Sequence, residues 1–158
     1  MHRQATRRAA GRWKGLGLFL QSTPASQESR WTLRRTLRVL VADDDEDTVA
    51  TLSVILRDEG HEVYGVHDGA SVIPLARKLR PDAIILDIGM PNLTGYDLAR
   101  MLKDEHGRRC PTLIAVTAYS RQPDRLIGKA VGFDHYFGKP VEIDQLLGAL
   151  PSARRGDH

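Results

Sequence analysis

The sequence contains a single cysteine, Cys110, among its 158 residues, so no disulfide bond can form within the chain. Such sparing use of cysteine is typical of proteins in a reducing compartment. Cys110 directly precedes Pro111 and an apolar segment. This context predicts a half-buried, unreactive thiol rather than a catalytic nucleophile.

Long hydrophobic runs are also missing. The apolar cluster at residues 16–20 is shorter than the roughly 7–15 apolar residues of a secretory signal or the about 20 residues of a membrane span. We therefore expect a cytoplasmic protein. Glycine-rich phosphate loops of the Walker or dinucleotide type are absent, and Ser120 lacks the flanking glycines of a nucleophile elbow, which argues against nucleotide-binding and serine-hydrolase chemistry.

Positive charge is concentrated at the N-terminus. Residues 1–36 contain eight Lys and Arg but one acid, whereas residues 37–158 contain 15 Lys and Arg and 19 acids. The pI of about 9.2 therefore reflects the first segment. We expect residues 1–36 to form a disordered basic arm, and residues 151–158 to form a short tail. Binding of nucleic acid, anionic lipid or a partner protein by this arm stays open.

Between these ends, strand and helix patterns alternate five times. The strands are predicted at 37–42, 62–66, 83–86, 112–116 and 135–137. The helices are predicted at 47–59, 69–79, after the turn-rich segment 89–95, at 123–131 and at 142–150. This pattern predicts an α/β fold: a flavodoxin-like, doubly wound (βα)5 parallel sheet with strand order 2-1-3-4-5. Gly128 lies inside the fourth helix and weakens it by about 1 kcal/mol relative to alanine.

Chemically active residues follow the predicted strands. Asp43, Asp44 and Asp45 follow the first strand, and Asp87 follows the third. Thr117 follows the fourth strand and Lys139 the fifth. In the predicted strand order these side chains share one edge of the sheet, centred on its crevice. Crowded carboxylates favour a hard divalent cation such as Mg²⁺, and a carboxylate facing metal and lysine can attack phosphorus.

Four segments carry a family resemblance: VLVADDDED, LDIGMPNLTGYDLA, VTAYS and HYFGKPV. Residues 37–150 resemble the receiver domain of two-component response regulators. The resemblance implies that Asp87 accepts a phosphoryl group, with Thr117 and Lys139 as its partners. It also implies a switch, a metal site and a cis peptide bond. The switch residues would be Thr117 and Tyr136, and the cis peptide bond would join Lys139 and Pro140. The ligands of Mg²⁺ (or Mn²⁺) would be Asp43, Asp44, Asp87 and the backbone carbonyl of Gly89. Asp44 would bind the metal directly and Asp43 mainly through water.

The resemblance further implies a signalling role. The phosphoryl group would come from a phosphohistidine on a sensor kinase or histidine phosphotransfer protein. An unknown downstream protein would recognise the phosphorylated domain. Such a domain phosphorylates and dephosphorylates only itself and is not a turnover enzyme. Because eight residues follow Leu150, we expect a stand-alone receiver without an output domain.

Two alternatives remain at this stage. An aspartyl-phosphate hydrolase of the haloacid-dehalogenase type would use the D-x-D of Asp43 to Asp45, with Asp43 as nucleophile and Asp45 as acid. That family carries a later acidic pair where this chain has Lys139 and Pro140. The other alternative is a receiver that regulates nucleic-acid or membrane binding by the basic arm.

Overall fold

The computed structural model describes residues 35–118 and 120–152, which fold around a five-stranded parallel sheet. Its strand order, β2-β1-β3-β4-β5, confirms the predicted topology. The strands are β1 (Arg38–Ala42), β2 (Glu62–Val66), β3 (Ala83–Leu86), β4 (Thr112–Thr117) and β5 (His135–Gly138). The helices are α1 (Glu46–Asp58), α2 (Val72–Leu79), α3 (Gly95–His106), α4 (Gln122–Val131) and α5 (Ile143–Ala149).

The element boundaries differ from the prediction in two places that matter. Thr117 is the last residue of β4 rather than the first residue after it, because it pairs in register with Gly138 of β5. The second helix does not begin at Gly69, because Gly69–Ser71 first form a 3₁₀ turn. The Asp68 carboxylate accepts a hydrogen bond from the Ser71 amide at 2.8 Å and so fixes this turn.

The sheet has an apolar cluster on each face, as expected when helices cover both sides. All residues of β3 and β4 are buried, which explains why the sequence pattern of these strands is continuously apolar rather than alternating. Cys110 belongs to one of these clusters and is fully buried, so the expectation of a half-buried thiol was wrong. Cys110 comes shortly before β4, all of whose residues are buried, and it therefore lies in the core.

The loop between β3 and α3 folds back onto the end of β3. Asn92 adopts a left-handed conformation (φ 69°), which asparagine tolerates better than most residues. The Gly95 amide then donates a hydrogen bond to the Ile88 carbonyl at 3.1 Å. A Cβ atom at position 95 would lie 2.7 Å from the Asp87 carbonyl oxygen. Position 95, the first residue of α3, therefore requires glycine, because it lies directly next to the backbone of Asp87.

A reciprocal capping box fixes the start of α3: the Thr94 side chain accepts from the Asp97 amide, and the Asp97 carboxylate accepts from the Thr94 amide. We predict that Thr94→Ala lowers the free energy of unfolding by about 1 kcal/mol, measured by urea denaturation. Thr51→Ala, at an exposed position on α1, is the control and should change it by less than about 0.5 kcal/mol. Equal effects of the two substitutions would contradict a capping role.

Two of the sequence expectations lie largely outside the described residues: the basic arm, of which residues 1–34 are not described, and the tail, of which residues 153–158 are not. Across the part of the chain that is described, no helix has the length and apolar character needed to cross a membrane.

Candidate functional site

Backbone hydrogen bonds between neighbouring strands gather four strand ends at one edge of the sheet. The Asp87 amide donates to the Ala42 carbonyl at 2.9 Å, so Asp87 lies beside the end of β1. The Lys139 amide donates to the Thr117 carbonyl at 2.9 Å, so Lys139 lies beside the end of β4. Because β3 also pairs with β4, Asp43 and Lys139 lie at the same edge although they are 96 positions apart in the sequence.

Lys139 links two of the acidic residues. Its Nζ donates to Oδ2 of Asp43 at 2.7 Å and lies 3.8 Å from Oδ2 of Asp87. The other oxygen of each carboxylate accepts a backbone amide: Asp43 Oδ1 from Asp45 at 2.9 Å, and Asp87 Oδ1 from Gly89 at 3.2 Å. Both carboxylates are buried, so their positions are fixed by the surrounding backbone as well as by the lysine.

A third carboxylate, that of the exposed Asp44, completes an acidic cluster. One oxygen from each of Asp43, Asp44 and Asp87 lies within 4.8 Å of the others. Octahedral Mg²⁺ holds oxygen ligands at about 2.1 Å, so its ligands lie about 3 to 4 Å apart. Three carboxylates and one ammonium leave two negative charges uncompensated when all are ionised. The donor type and the charge therefore fit a divalent magnesium ion.

The charges in this cluster influence one another. Burial raises the pKa of the Asp43 carboxyl above its usual value, and the hydrogen bonds from Lys139 and the Asp45 amide only partly oppose this effect. Burial by itself would lower the pKa of Lys139, but its hydrogen bond to Asp43 and the negative charge of Asp87 raise it. Lys139 therefore stays positively charged at neutral pH.

The remaining predicted residues surround this cluster. Thr117 is fully buried at the end of β4. Gly89 is exposed in the loop after β3. The Lys139–Pro140 peptide bond is cis.

Tyr136 lies on β5. Its neighbours Tyr96 and Phe133 could not be identified from the sequence pattern. Its hydroxyl lies 3.1 Å from the Tyr96 hydroxyl, and its ring packs edge-on against Phe133 with centroids 6.2 Å apart. Burial raises the pKa of Tyr136, and the hydrogen bond with Tyr96 raises it further. The one available signal in the sequence was Gly128 inside a helix, which proves to lie under the Tyr136 ring.

The geometry does not favour the hydrolase alternative. The exposed Asp45 carboxylate accepts a hydrogen bond from Thr48, and Asp45 is not part of the cluster formed by Asp43, Asp44 and Asp87. Both oxygens of Asp43 already accept hydrogen bonds. A D-x-D pair acting as nucleophile and acid would need both side chains at one reaction centre.

A groove of about 520 Å³ opens beside Lys139. It runs between α1 and the segment that leads into α5. Its lining is mainly apolar and includes Leu52, Ile55, Pro140, Val141 and Ile143. A concave, largely apolar surface next to charged groups is typical of a binding site.

Comparison with known proteins agrees with this geometry. The family model described as the response regulator receiver domain matches residues 39–151. Protein PilH of Pseudomonas aeruginosa is 33% identical over 120 residues, which cover 75% of this chain and 98% of that protein. A solved structure of the receiver domain of sensor histidine kinase PA1611 from the same species, with magnesium coordinated in its active site cleft, is similar with a TM-score of 0.64. That match is 31% identical and covers 72% of this chain and 93% of the other.

Some relatives are longer than this chain. The DNA-binding response regulator MtrA of Mycobacterium tuberculosis is 32% identical over 121 residues, which cover 76% of this chain but 52% of that protein. The chain thus spans about half the length of the MtrA proteins that it matches.

Proposed function

Since the chain belongs to the receiver domain family of two-component response regulators, we propose that Asp87 is the carboxylate that accepts the phosphoryl group. The observation that carries this proposal is the position of Lys139, whose Nζ binds Asp43 and lies 3.8 Å from Oδ2 of Asp87. An ammonium at this position can neutralise charge on a phosphoryl group that arrives at Asp87.

The hydrogen bonds favour Asp87 over Asp43 as the nucleophile. Both Asp43 oxygens accept hydrogen bonds, whereas Asp87 Oδ2 lies 3.8 Å from Lys139 Nζ, beyond hydrogen-bond distance. Attack by Oδ2 on the phosphorus of a phosphohistidine forms a P–O bond and breaks the P–N bond, and the electron pair of that bond returns to the imidazole. The product is an acyl phosphate on Asp87.

The other site residues have supporting roles in this proposal. Asp43, Asp44, Asp87 and the Gly89 carbonyl would hold Mg²⁺, which when bound supplies positive charge to the phosphoryl oxygens. Lys139 contacts one phosphoryl oxygen, and the Thr117 hydroxyl donates to another after transfer. Tyr136 then responds to the new position of Thr117. The family resemblance and the position of each residue at the sheet edge support these assignments.

We propose that the donor is a protein rather than a small molecule. Receiver domains interact with histidine kinases and downstream targets, and the apolar groove beside Lys139 is large enough for side chains of a partner helix. Lys139 lines this groove and lies 3.8 Å from Asp87 Oδ2, so a histidine on the docked surface could approach Asp87.

Intact-mass measurement after incubation with acetyl phosphate and Mg²⁺ tests the phosphoacceptor proposal. We expect a gain of one phosphoryl group that disappears with time and does not form when a chelator is present. Borohydride reduction followed by peptide mapping should place the modification at Asp87. Modification mapped to Asp43, or the absence of modification with acetyl phosphate and with a phosphohistidine donor, would contradict the proposal.

Magnesium binding is tested separately by thermal unfolding. At ten times its dissociation constant, Mg²⁺ should stabilise the folded protein by about 1.4 kcal/mol. Asp44→Asn removes one charge from the acidic cluster and should weaken Mg²⁺ binding by about tenfold. Asp45→Asn is the matched control, because Asp45 is adjacent but outside the cluster. Equal magnesium responses in the two variants would argue against a site at Asp44.

A further inference from the structure

Two tyrosine hydroxyls, those of Tyr96 and Tyr136, form a hydrogen-bonded pair between α3 and β5, which we call the tyrosine pair. The Tyr96 hydroxyl donates to the backbone carbonyl of Asp124, in the first turn of α4, at 3.2 Å. A hydroxyl has one proton, so the Tyr136 hydroxyl is the donor in the 3.1 Å bond to Tyr96. The pair therefore connects three elements, α3, α4 and β5, through two directed hydrogen bonds.

The rings of the tyrosine pair are held by close packing. The ring of the buried Phe133 lies edge-on to both, with centroid distances of 6.4 Å to Tyr96 and 6.2 Å to Tyr136. The Tyr136 ring also covers Gly128, where an added Cβ would lie 2.5 Å from Cδ2 of the ring. Since α4 has no side chain at this position, Tyr136 can lie directly against the helix backbone.

Tyr96 is also adjacent to the acceptor. It follows Gly95, which contacts the backbone of Asp87 so closely that an added Cβ would lie 2.7 Å from its carbonyl oxygen. The Gly95 amide is hydrogen bonded to Ile88, the residue that follows Asp87. A displacement of the backbone at Asp87 would therefore move the start of α3, and with it the Tyr96 side chain.

We propose that Tyr96 is a positioning residue that holds Tyr136 against α4 and couples the backbone of Asp87 to the first turn of that helix. The coupling runs from Asp87 through Gly95 to Tyr96, and from there to Asp124 and Tyr136. It does not pass through Thr117. The part of this inference that concerns the response to phosphorylation rests on the proposed function of Asp87.

Hydrogen exchange of the α4 amides, measured on the unmodified full chain, tests the tyrosine pair. Tyr96→Phe and Tyr136→Phe each remove one hydroxyl and keep the ring, and each should speed α4 exchange by about three- to tenfold. Since Tyr96→Phe removes both hydrogen bonds of the pair, the double variant should exchange no faster than Tyr96→Phe alone. Tyr64→Phe, which removes a hydroxyl bonded to Glu62 on the edge strand β2, is the matched control and should leave α4 unchanged.

A second measurement tests the link to Asp87. Phosphorylation with acetyl phosphate should change α4 exchange in the wild-type protein, and Tyr96→Phe should reduce that change at least about threefold. An unaltered response in Tyr96→Phe would overturn the coupling, and multiplying effects in the double variant would overturn the tyrosine pair. If Asp87 takes no phosphoryl group, the proposed function fails, but the exchange rates of the unmodified variants still decide whether the pair exists.

Discussion

Asp87→Asn is expected to abolish phosphoryl incorporation from acetyl phosphate. The amide has nearly the shape of the carboxylate and can still accept the hydrogen bond that the Gly89 amide donates to Asp87, so the loop should keep its conformation. The amide is not nucleophilic and carries no charge to attract magnesium. Intact mass should therefore show no phosphoryl gain under conditions that modify the wild-type protein fully.

The same substitution should not destabilise the fold. Asp87 is one of three carboxylates in the cluster, and Lys139 Nζ lies 2.7 Å from Asp43 and 3.8 Å from Asp87. Removing one negative charge relieves repulsion, so the melting temperature without magnesium should equal or exceed that of the wild type. Asp58→Asn, at an exposed position on α1, is the control and should be phosphorylated normally. Equal modification of Asp87→Asn and wild type would mean that another carboxylate is the acceptor.

Lys139→Ala is expected to slow phosphoryl transfer by about 100-fold, the effect of removing one preorganised charge-stabilising group from an active site. The same variant should bind magnesium more tightly, because the cluster then holds three carboxylates without the cation that lies 2.7 Å from Asp43. The rate of mass gain at saturating Mg²⁺ measures the first effect, and a magnesium titration followed by thermal unfolding measures the second.

Lys139→Ala is thus expected to slow phosphoryl transfer but to strengthen magnesium binding. General damage to the site would weaken magnesium binding and phosphoryl transfer together. Lys129→Ala provides the control, since Lys129 is exposed on α4 and should affect neither property. Phosphorylation of Lys139→Ala at the wild-type rate would contradict the proposed role of the Lys139 ammonium.

The positions of the site residues could be predicted because a parallel sheet aligns the carboxyl ends of its strands. Asp87 and Lys139 each come at the end of a predicted strand, and the alternation of strands and helices places both strands in one sheet. The distances could not be predicted in this way. That Lys139 binds Asp43 at 2.7 Å but lies 3.8 Å from Asp87 depends on side-chain rotamers and on the path of the chain after β5.

The contact of Gly128 with Tyr136 could not be predicted from the sequence, for a different reason. From the sequence it indicates only a weaker fourth helix, since glycine is a poor helix former. In the structure it also provides the space that the Tyr136 ring occupies. A contact between two residues on different elements depends on how the helix is rotated about its axis. Helical periodicity places a residue on a face of the helix but does not identify the side chain that covers it.

The close fit at Gly95 also limits how this segment can diverge in sequence. A side chain at position 95 would press on backbone atoms of Asp87 and Ile88, which cannot move aside as a flexible side chain can. Gly60 and Gly107, in contrast, have open space around them, and only their positive φ angles favour glycine. A substitution at position 95 could therefore become established only together with changes that rebuild the loop after β3. Gly95 and Asp87, the proposed phosphoryl acceptor, are thus under a joint evolutionary constraint.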